Sequence, residues 1–334
     1  MNILQKIFSV KNEKKGKKKH KIITILGLKF KFKVETKYQR LQREKYKRNL
    51  TISEKKYLIT EIFKKRVGYI PNFDNPKTFN EKLQWAKLYY ENPMMTLLAD
   101  KYLVKEYIEK ELGKQYVVPL IGAYDKAEDI DFNALPDKFV IKSNWGSGDN
   151  LIVTDKSKLD IEEVRKKLNK WMEPSSNLYY ALFENCYRDI KPKIIIEEFL
   201  ESLDKSAIDY KFLCFNGEPK YCWITNKYGK VKERGFYNMD WELQDIELVE
   251  EGHSVMKTPC KKPEKFDEMV CLAKKLSKDF PHVRVDFYKL NDETIRFGEM
   301  TFYTSNGINP WMPEGTDEML GSLYNIESIK NRNL

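Results

Sequence analysis

Two acidic residues sit in a C-terminal stretch that reads as a β-hairpin. Its arms are Val283-Arg284-Val285-Asp286-Phe287-Tyr288-Lys289-Leu290 and Thr294-Ile295-Arg296-Phe297-Gly298-Glu299-Met300-Thr301-Phe302, with the polar Asn291-Asp292-Glu293 between them. Both arms are rich in β-branched and aromatic residues, as paired strands require. If Asp292-Glu293 form a two-residue loop, Asn291 faces Thr294, and counting back sets Asp286 opposite Glu299. Directly opposed side chains lie roughly 4.5–5.5 Å apart at Cβ, so two carboxylates there repel unless something positive lies between them. A hard divalent cation such as Mg²⁺, held by one or two carboxylates and completed by phosphate oxygens, resolves the conflict. An exposed strand face with two solvated acids is the alternative. The same register sets Arg284 beside Asp286 and across from Thr301, where a guanidinium could stabilise a phosphoryl or tetrahedral oxyanion, or simply pair with Glu299.

A second stretch also carries potential phosphate chemistry. The strand text Phe139-Val140-Ile141-Lys142 runs into Ser143-Asn144-Trp145-Gly146-Ser147-Gly148-Asp149-Asn150 and then Leu151-Ile152-Val153. Glycines let backbone N–H groups approach phosphate oxygens closely, and a lysine ending the first strand supplies a point charge. No helix opening on Gly-Lys-Ser/Thr follows, so this is not a Walker loop. Taken alone, it also suits an ordinary hairpin turn.

The chain has 334 residues with 41% hydrophobic content, enough for two domains or one lobed fold. Its net charge of +10 is unevenly spread: residues 1–48 hold 17 Lys and Arg against 3 Glu, so the rest carries a net −4. The tract Lys14-Lys15-Gly16-Lys17-Lys18-Lys19-His20-Lys21, followed by Ile22 to Leu28, suits an anionic membrane surface, with Met1 to Val10 as an amphipathic anchor. A solubilising tail leading into a strand is the competing reading. No apolar run approaches the roughly 20 residues needed to span a bilayer, and no secretory signal is evident, so a cytoplasmic protein, peripheral at most, is expected. Five cysteines without a C-x-x-C pair point to reduced thiols rather than zinc or disulfides, and three scattered histidines leave little for histidine-based catalysis.

The elements that must position these residues follow from periodicity. Helices are predicted over Gln39 to Arg48, Ser53 to Arg66 with Ser53 as cap, from Thr78 or Asn80 to Tyr89, and over Tyr102 to Leu112 after Asp100-Lys101. Strands are predicted at Val117 to Ile121, Phe139 to Lys142, Leu151 to Val153, Lys193 to Leu200, and as a hairpin Asp209 to Phe215 and Pro219 to Thr225 around Asn216-Gly217. Helical text covers Ile161 to Met172, Leu178 to Tyr187 and Pro263 to Phe280, and Phe236 to Trp241 reads as strand and turn. Hairpins alternating with helices predict an α+β fold rather than a doubly wound parallel sheet.

In order and spacing, the motifs resemble the ATP-grasp superfamily: Asp100-Lys101, Phe139 to Lys142 with its glycine loop, Ile194-Ile195-Ile196-Glu197-Glu198-Phe199-Leu200, Asp209-Tyr210-Lys211-Phe212, Arg284-Val285-Asp286 and Phe297-Gly298-Glu299-Met300-Thr301-Phe302. The wording is most similar to the TupA-like branch, found among surface-polysaccharide genes, over roughly residues 55–328. The resemblance implies two α+β lobes with antiparallel sheets enclosing ATP. A basic arm would span residues 1–50, a helical region 51–115, the small lobe 116–195 and the large lobe 196–330.

It also implies roles. Lys101 and Lys142 would contact ATP, and Asn144, Gly146, Ser147 and Gly148 would belong to a mobile phosphate loop. Glu197, Glu198, Phe199 and Leu200 would form the adenine hinge. Lys211 would face the γ-phosphate or acyl phosphate with Arg284 nearby. Asp286 and Glu299 would hold Mg²⁺, and Thr301 stands where many relatives place a third ligand, asparagine. The implied chemistry is ligation of a carboxylate to an amine through an acyl phosphate. The carboxylate would belong to a uronic acid or amino acid of a glycan, or of its lipid- or nucleotide-linked precursor, and the amine to a small amine or amino acid. A sugar kinase and a glycosyltransferase or assembly partner stay open as alternatives, and nucleic acid is not an expected partner.

Overall fold

The computed structural model of the chain describes residues 8–15, 18–25, 28–33, 35–200, 208–228, 231–290 and 292–330. The chain divides into two compact units, Met1–Leu58 and Ile59–Leu334.

In the first unit, β1 (Phe8–Lys15), β2 (Lys18–Ile25) and β3 (Leu28–Lys33) form an antiparallel meander. The lysine tract expected as an arm therefore lies in paired strands, with Lys14 opposite Lys19 and Lys15 opposite Lys18. The β-branched run Ile22-Ile23-Thr24-Ile25 favours this conformation. Ile3, Leu4 and Ile7 of the expected anchor fall outside the described residues. At the helix Ile52–Arg66 the cap is Thr51, not Ser53. Thr51 Oγ1 accepts from the Glu54 N–H at 3.3 Å, and the Glu54 carboxylate accepts from the Thr51 N–H at 2.9 Å. Glutamate three residues beyond threonine completes a capping box that Ser53 could not form with its neighbour Glu54.

After the end of the helix Ile52–Arg66, the second unit continues with the helices Phe79–Tyr89, Pro93–Ala99 and Val104–Glu111. Thr78 caps the first, accepting from the Glu81 N–H at 3.1 Å. Pro93–Ala99, capped by Asn92, was not expected, because seven residues are too few to display a helical period. A four-stranded antiparallel sheet follows: β4 (Leu120–Tyr124), β5 (Phe139–Ser143), β6 (Asn150–Val153) and β7 (Ile194–Glu198), in the spatial order β4-β7-β5-β6. Its apolar face packs Phe139, Ile141, Ile194 and Ile196 with Leu168 and Trp171 of the helix Ile161–Trp171. Helical text after Leu178 stops at Leu182, where Phe183 takes a left-handed φ of 63°.

The larger sheet is built from β8 (Ile208–Phe215), β9 (Glu218–Tyr228), β10 (Val231–Tyr237), β11 (Leu243–Gln244), β13 (His253–Val255), β14 (His282–Lys289) and β15 (Ile295–Thr301). Its main order is β11-β10-β9-β8-β14-β15, and β13 pairs with β10. The short strands β12 (Glu247–Leu248) and β16 (Trp311–Met312) pair separately. The Asn216-Gly217 turn forms as expected: Phe215 faces Glu218, and both turn residues have positive φ, 51° and 81°. On β14, Val283, Val285 and Phe287 are fully buried, while Arg284, Asp286 and Tyr288 alternate to the opposite face. The core face is covered by the helix Phe266–Ser277, where Phe212 stacks on Phe266 at 5.7 Å.

The β14–β15 hairpin realises the predicted pairing by a different path. Its loop is not two residues long: the Leu290 N–H donates to the Thr294 carbonyl at 2.8 Å, and Glu293 takes a left-handed φ of 62°. Near the turn the register is accordingly one residue off, with Lys289 opposite Ile295. A bulge at Gly298 restores it, so Phe287 faces Phe297 but Asp286 faces Glu299 and Arg284 faces Thr301. A Cβ at position 298 would lie 3.1 Å from the Asp286 carbonyl oxygen, which explains the glycine there.

Candidate functional site

A cavity of about 180 Å³ opens among four elements: the polar ends of β5 and β7, the glycine loop, the segment from Lys101 into the helix Val104–Glu111, and the polar face of β8, β14 and β15. Strand alternation delivers Asp209 and Lys211 from β8 and Asp286 and Tyr288 from β14 to this one face. Four lysines, Lys101, Lys105, Lys142 and Lys211, line it together with Glu197, Asp209, Asp286 and Glu299.

Glu197 is the charged centre at the small-sheet end. Lys142 and Lys105 reach its two carboxylate oxygens at 2.6 and 2.5 Å. Burial works to raise its pKa, but the two ammonium groups outweigh that and lower it. Lys105 was missed in the sequence, although it falls in the helix predicted directly after Lys101. Glu198 is exposed, Phe199 lies under the Lys138 ammonium at 5.7 Å, and Leu200 is buried; none of these three lines the cavity, so only Glu197 of the expected hinge reaches it.

The glycine loop is held from within. Ser143 Oγ donates to Asp149 at 3.0 Å and accepts from the Gly146 N–H at 3.1 Å, and the Trp145 indole N–H donates to the Trp171 carbonyl at 2.9 Å. Gly146, Ser147 and Gly148 line the cavity. Asn144 does not. It is fully buried and ties strand ends together: its amide donates to Asp100 Oδ1 at 3.0 Å and to the Lys191 carbonyl at 2.9 Å, and its oxygen accepts from the Lys193 N–H at 2.8 Å. Lys101 Nζ donates to the Gly146 carbonyl at 2.8 Å and lies 3.9 Å from Glu299, linking the loop to the carboxylate pair.

At that pair, one guanidinium bridges both acids. Arg284 donates to Asp286 through Nε and Nη2, each at 2.7 Å, and through Nη2 to Glu299 at 2.6 Å. Lys211 adds a bond to Asp286 at 2.7 Å and an ion pair with Asp209. Burial acts to raise the Glu299 pKa, but Lys101, Arg284 and Lys211 hold it down at about 2, so this carboxylate stays ionised. Burial and the neighbouring Asp286 raise the pKa of Asp209 despite Lys211, and one oxygen of Asp209 is buried without a partner. Thr301 Oγ1 lies 3.3 Å from Glu299. Among the described residues no cluster of three or more His, Cys, Asp or Glu is arranged to hold a metal ion; the donor set is the Asp286–Glu299 pair. Two carboxylates on facing strands match the small protein share of a Mg²⁺–phosphate site.

A larger cavity of about 940 Å³ continues from the first, sharing Gly146, Ser147, Asp209, Lys211, Tyr288 and Glu299 as lining. Arg284 and Thr301 face this second space, with Glu184, Trp223, Arg234, His253, Tyr303 and Asn306. Asp209 and Tyr288 were legible as strand neighbours two residues from Lys211 and Asp286. The others come from strands and loops that only the sheet order brings together.

No curated protein matches the chain. Solved structures to which it is similar include a D-alanine–D-alanine ligase from Bacillus anthracis complexed with ATP (16% identity, 63% of this chain and 57% of that one, TM-score 0.38). An L-amino acid ligase from Bacillus licheniformis also matches (13% identity, 67% and 48%, TM-score 0.40), as does an N5-carboxyaminoimidazole synthetase from Staphylococcus aureus (14%, 62% and 44%, TM-score 0.35). The chain thus spans about half the length of these structures. The family model described as TupA-like ATPgrasp matches residues 81–325, a span that contains every residue lining the first cavity. The chain belongs to the TupA-like ATP-grasp family.

Proposed function

We propose that the protein is an ATP- and Mg²⁺-dependent carboxylate–amine ligase acting on a uronic-acid or amino-acid carboxylate in bacterial surface-polysaccharide synthesis, such as that of a capsule. The observation that carries this reading is the continuity of the two cavities across Lys211 and Glu299. A nucleotide in the lysine-lined cavity directs its terminal phosphate at a second, larger and polar space able to take two further substrates.

Lys101, Lys105 and Lys142 bind the phosphates and the edge of the nucleotide, and the Gly146–Gly148 backbone closes over them. Asp286 and Glu299 would hold Mg²⁺, which offsets charge on the phosphate oxygens when bound. The carboxylate substrate attacks the terminal phosphorus and ADP leaves, giving an acyl phosphate, and the amine then displaces phosphate to form the amide. Lys211 and Arg284 orient the transferred phosphoryl group and meet the charge that develops on it. Such transfer depends on positioning and electrostatics and needs no covalent nucleophile. Thr301 orients Glu299 in this reading.

The lysine-rich strands β1–β3 support attachment to the anionic cytoplasmic face of a membrane, which suits a lipid-linked glycan acceptor. No helix among the described residues is long and apolar enough to cross a membrane. The ligase reading is tested by ADP and phosphate release from Mg·ATP with panels of amino acids and uronic-acid glycans, alone and combined. Release that requires both an amine and a carboxylate is expected. ADP with a phosphorylated sugar would replace the ligase by a kinase, and no turnover together with no ATP-induced rise in melting temperature would refute ATP chemistry altogether.

A further inference from the structure

The two ends of the larger cavity differ in hydrogen-bonding character. Across the big sheet the polar face runs from Arg234 on β10 and Trp223 on β9, through Lys211 on β8 and Arg284 on β14, to Glu299 and Thr301 on β15. Neighbouring strands stand roughly 4.8 Å apart, so the first and last of these groups are well separated. At the β10 end, Trp223 Nε1 and Arg234 Nε are buried donors without a partner. Beyond β15 lie acceptors: Asn306 Oδ1 and Tyr303 Oη are buried without a partner. With them lines Glu184, only 2% exposed, whose carboxylate has no hydrogen bond or ion pair among the described residues.

A carboxyl group that lines a cavity and has no protein partner is open to a ligand that supplies a charge or a proton. The charged and titratable groups around Glu184 are Lys87 from the helix Phe79–Tyr89, Arg284 and Glu299 from β14 and β15, and the neighbouring Cys186, Tyr187 and Tyr303. Lys87 is engaged elsewhere: its ammonium donates to the Asn306 carbonyl at 2.7 Å and to Gln84 Oε1 at 3.1 Å. Burial raises the Glu184 pKa to about 7 against the pull of Lys87 and Arg284, which suits a group that exchanges a proton near neutrality.

We propose that Glu184, Tyr303 and Asn306 form the binding corner for the amine substrate, and that Glu184 takes the proton that frees its nitrogen. The inference rests on the ligase reading. The ammonium group, a donor of three hydrogen bonds, meets three acceptors, whereas a carboxylate is repelled there; at the far end Arg234 is paired with Glu250 at 2.7 Å and keeps only its Nε donor free beside Trp223. Proton transfer to Glu184 leaves a lone pair on nitrogen, which attacks the acyl carbon. The new C–N bond forms as the C–O bond to phosphate breaks. The electron pair departs on phosphate, which accepts the second nitrogen proton.

The test separates acyl-phosphate formation from amine attack. Full-length protein is given Mg·ATP, a panel of uronic and amino acids as carboxylates, and either hydroxylamine, which is uncharged near neutral pH, or the amino-acid panel as amine. Glu184→Gln is expected to keep hydroxamate formation at the wild-type rate and to lose at least about 100-fold in amide formation. Tyr303→Phe is expected to raise the KM for the amine several-fold and leave hydroxamate formation alone. Equal losses with hydroxylamine and amines, or none in either variant, overturn the assignment and leave the ligase reading standing. If Glu184→Gln does not fold, the Tyr303→Phe split decides. A wild-type protein that yields no hydroxamate with any carboxylate refutes the ligase reading and this inference with it.

Discussion

Replacing Arg284 with methionine should be costly to the fold, and the cost can be worked from its bonds. The guanidinium makes two bonds of 2.7 Å to Asp286 and one of 2.6 Å to Glu299. Asp286 is 1% exposed, so its charge cannot turn to water when the arginine goes. Removing one member of a buried ion pair typically costs about 3–5 kcal/mol because the other charge is stranded. Lys211 still reaches Asp286 at 2.7 Å, which puts the expected loss near the low end, about 3 kcal/mol. Glu299 adds little, because its side chain is 34% exposed and water screens it. Methionine keeps most of the apolar stem, so packing against the Trp223 ring, 5.2 Å from the guanidinium, changes modestly. Urea unfolding followed by tryptophan fluorescence and circular dichroism measures the shift in midpoint at constant slope. Adding Asp286→Asn to the Arg284→Met background should return more than about 1 kcal/mol, since it removes the stranded charge. A loss below about 1 kcal/mol in the single variant, or no recovery in the double, would refute the view that Arg284 compensates a buried charge on Asp286.

Glu299→Gln should abolish Mg²⁺-dependent ATP turnover while leaving the unfolding midpoint nearly unchanged, because the side chain is partly solvated; wild-type turnover in this variant sinks the metal assignment. Removal of residues 1–34, which takes away β1 to β3 whole, should abolish co-sedimentation with vesicles containing phosphatidylserine and leave soluble turnover intact, and undiminished vesicle binding counts against the membrane role.

Much of the site was legible because its chemistry is written in local motifs. Lys142 and Lys211 occupy strand text of unmistakable period, and Gly146 and Gly148 mark the loop whatever surrounds it. The Asp286–Glu299 pairing was readable too, although by an accident of compensation: the turn is one residue longer than expected, and the Gly298 bulge supplies the residue that puts the register back. Asn144 shows the limit of motif reading. Its position in a phosphate-loop pattern says nothing of where its amide points, and tertiary contacts with Asp100, Lys191 and Lys193 turn it into a brace.

The fold class and six residues of the first cavity, Lys101, Lys142, Lys211, Glu197, Asp286 and Glu299, are legible in the sequence alone, because strand alternation and loop composition act over a few residues and the motifs keep a family's order. What only the tertiary structure decided is which distant residues complete them. Lys105 meets Glu197 because a helix end packs against the small sheet, and Arg284 bridges two acids because β14 and β15 pair beside β8. Glu184, Tyr303 and Asn306 gather at one end of the larger cavity because a helix end and a loop after β15 converge there, a closure across more than a hundred residues that no local pattern encodes.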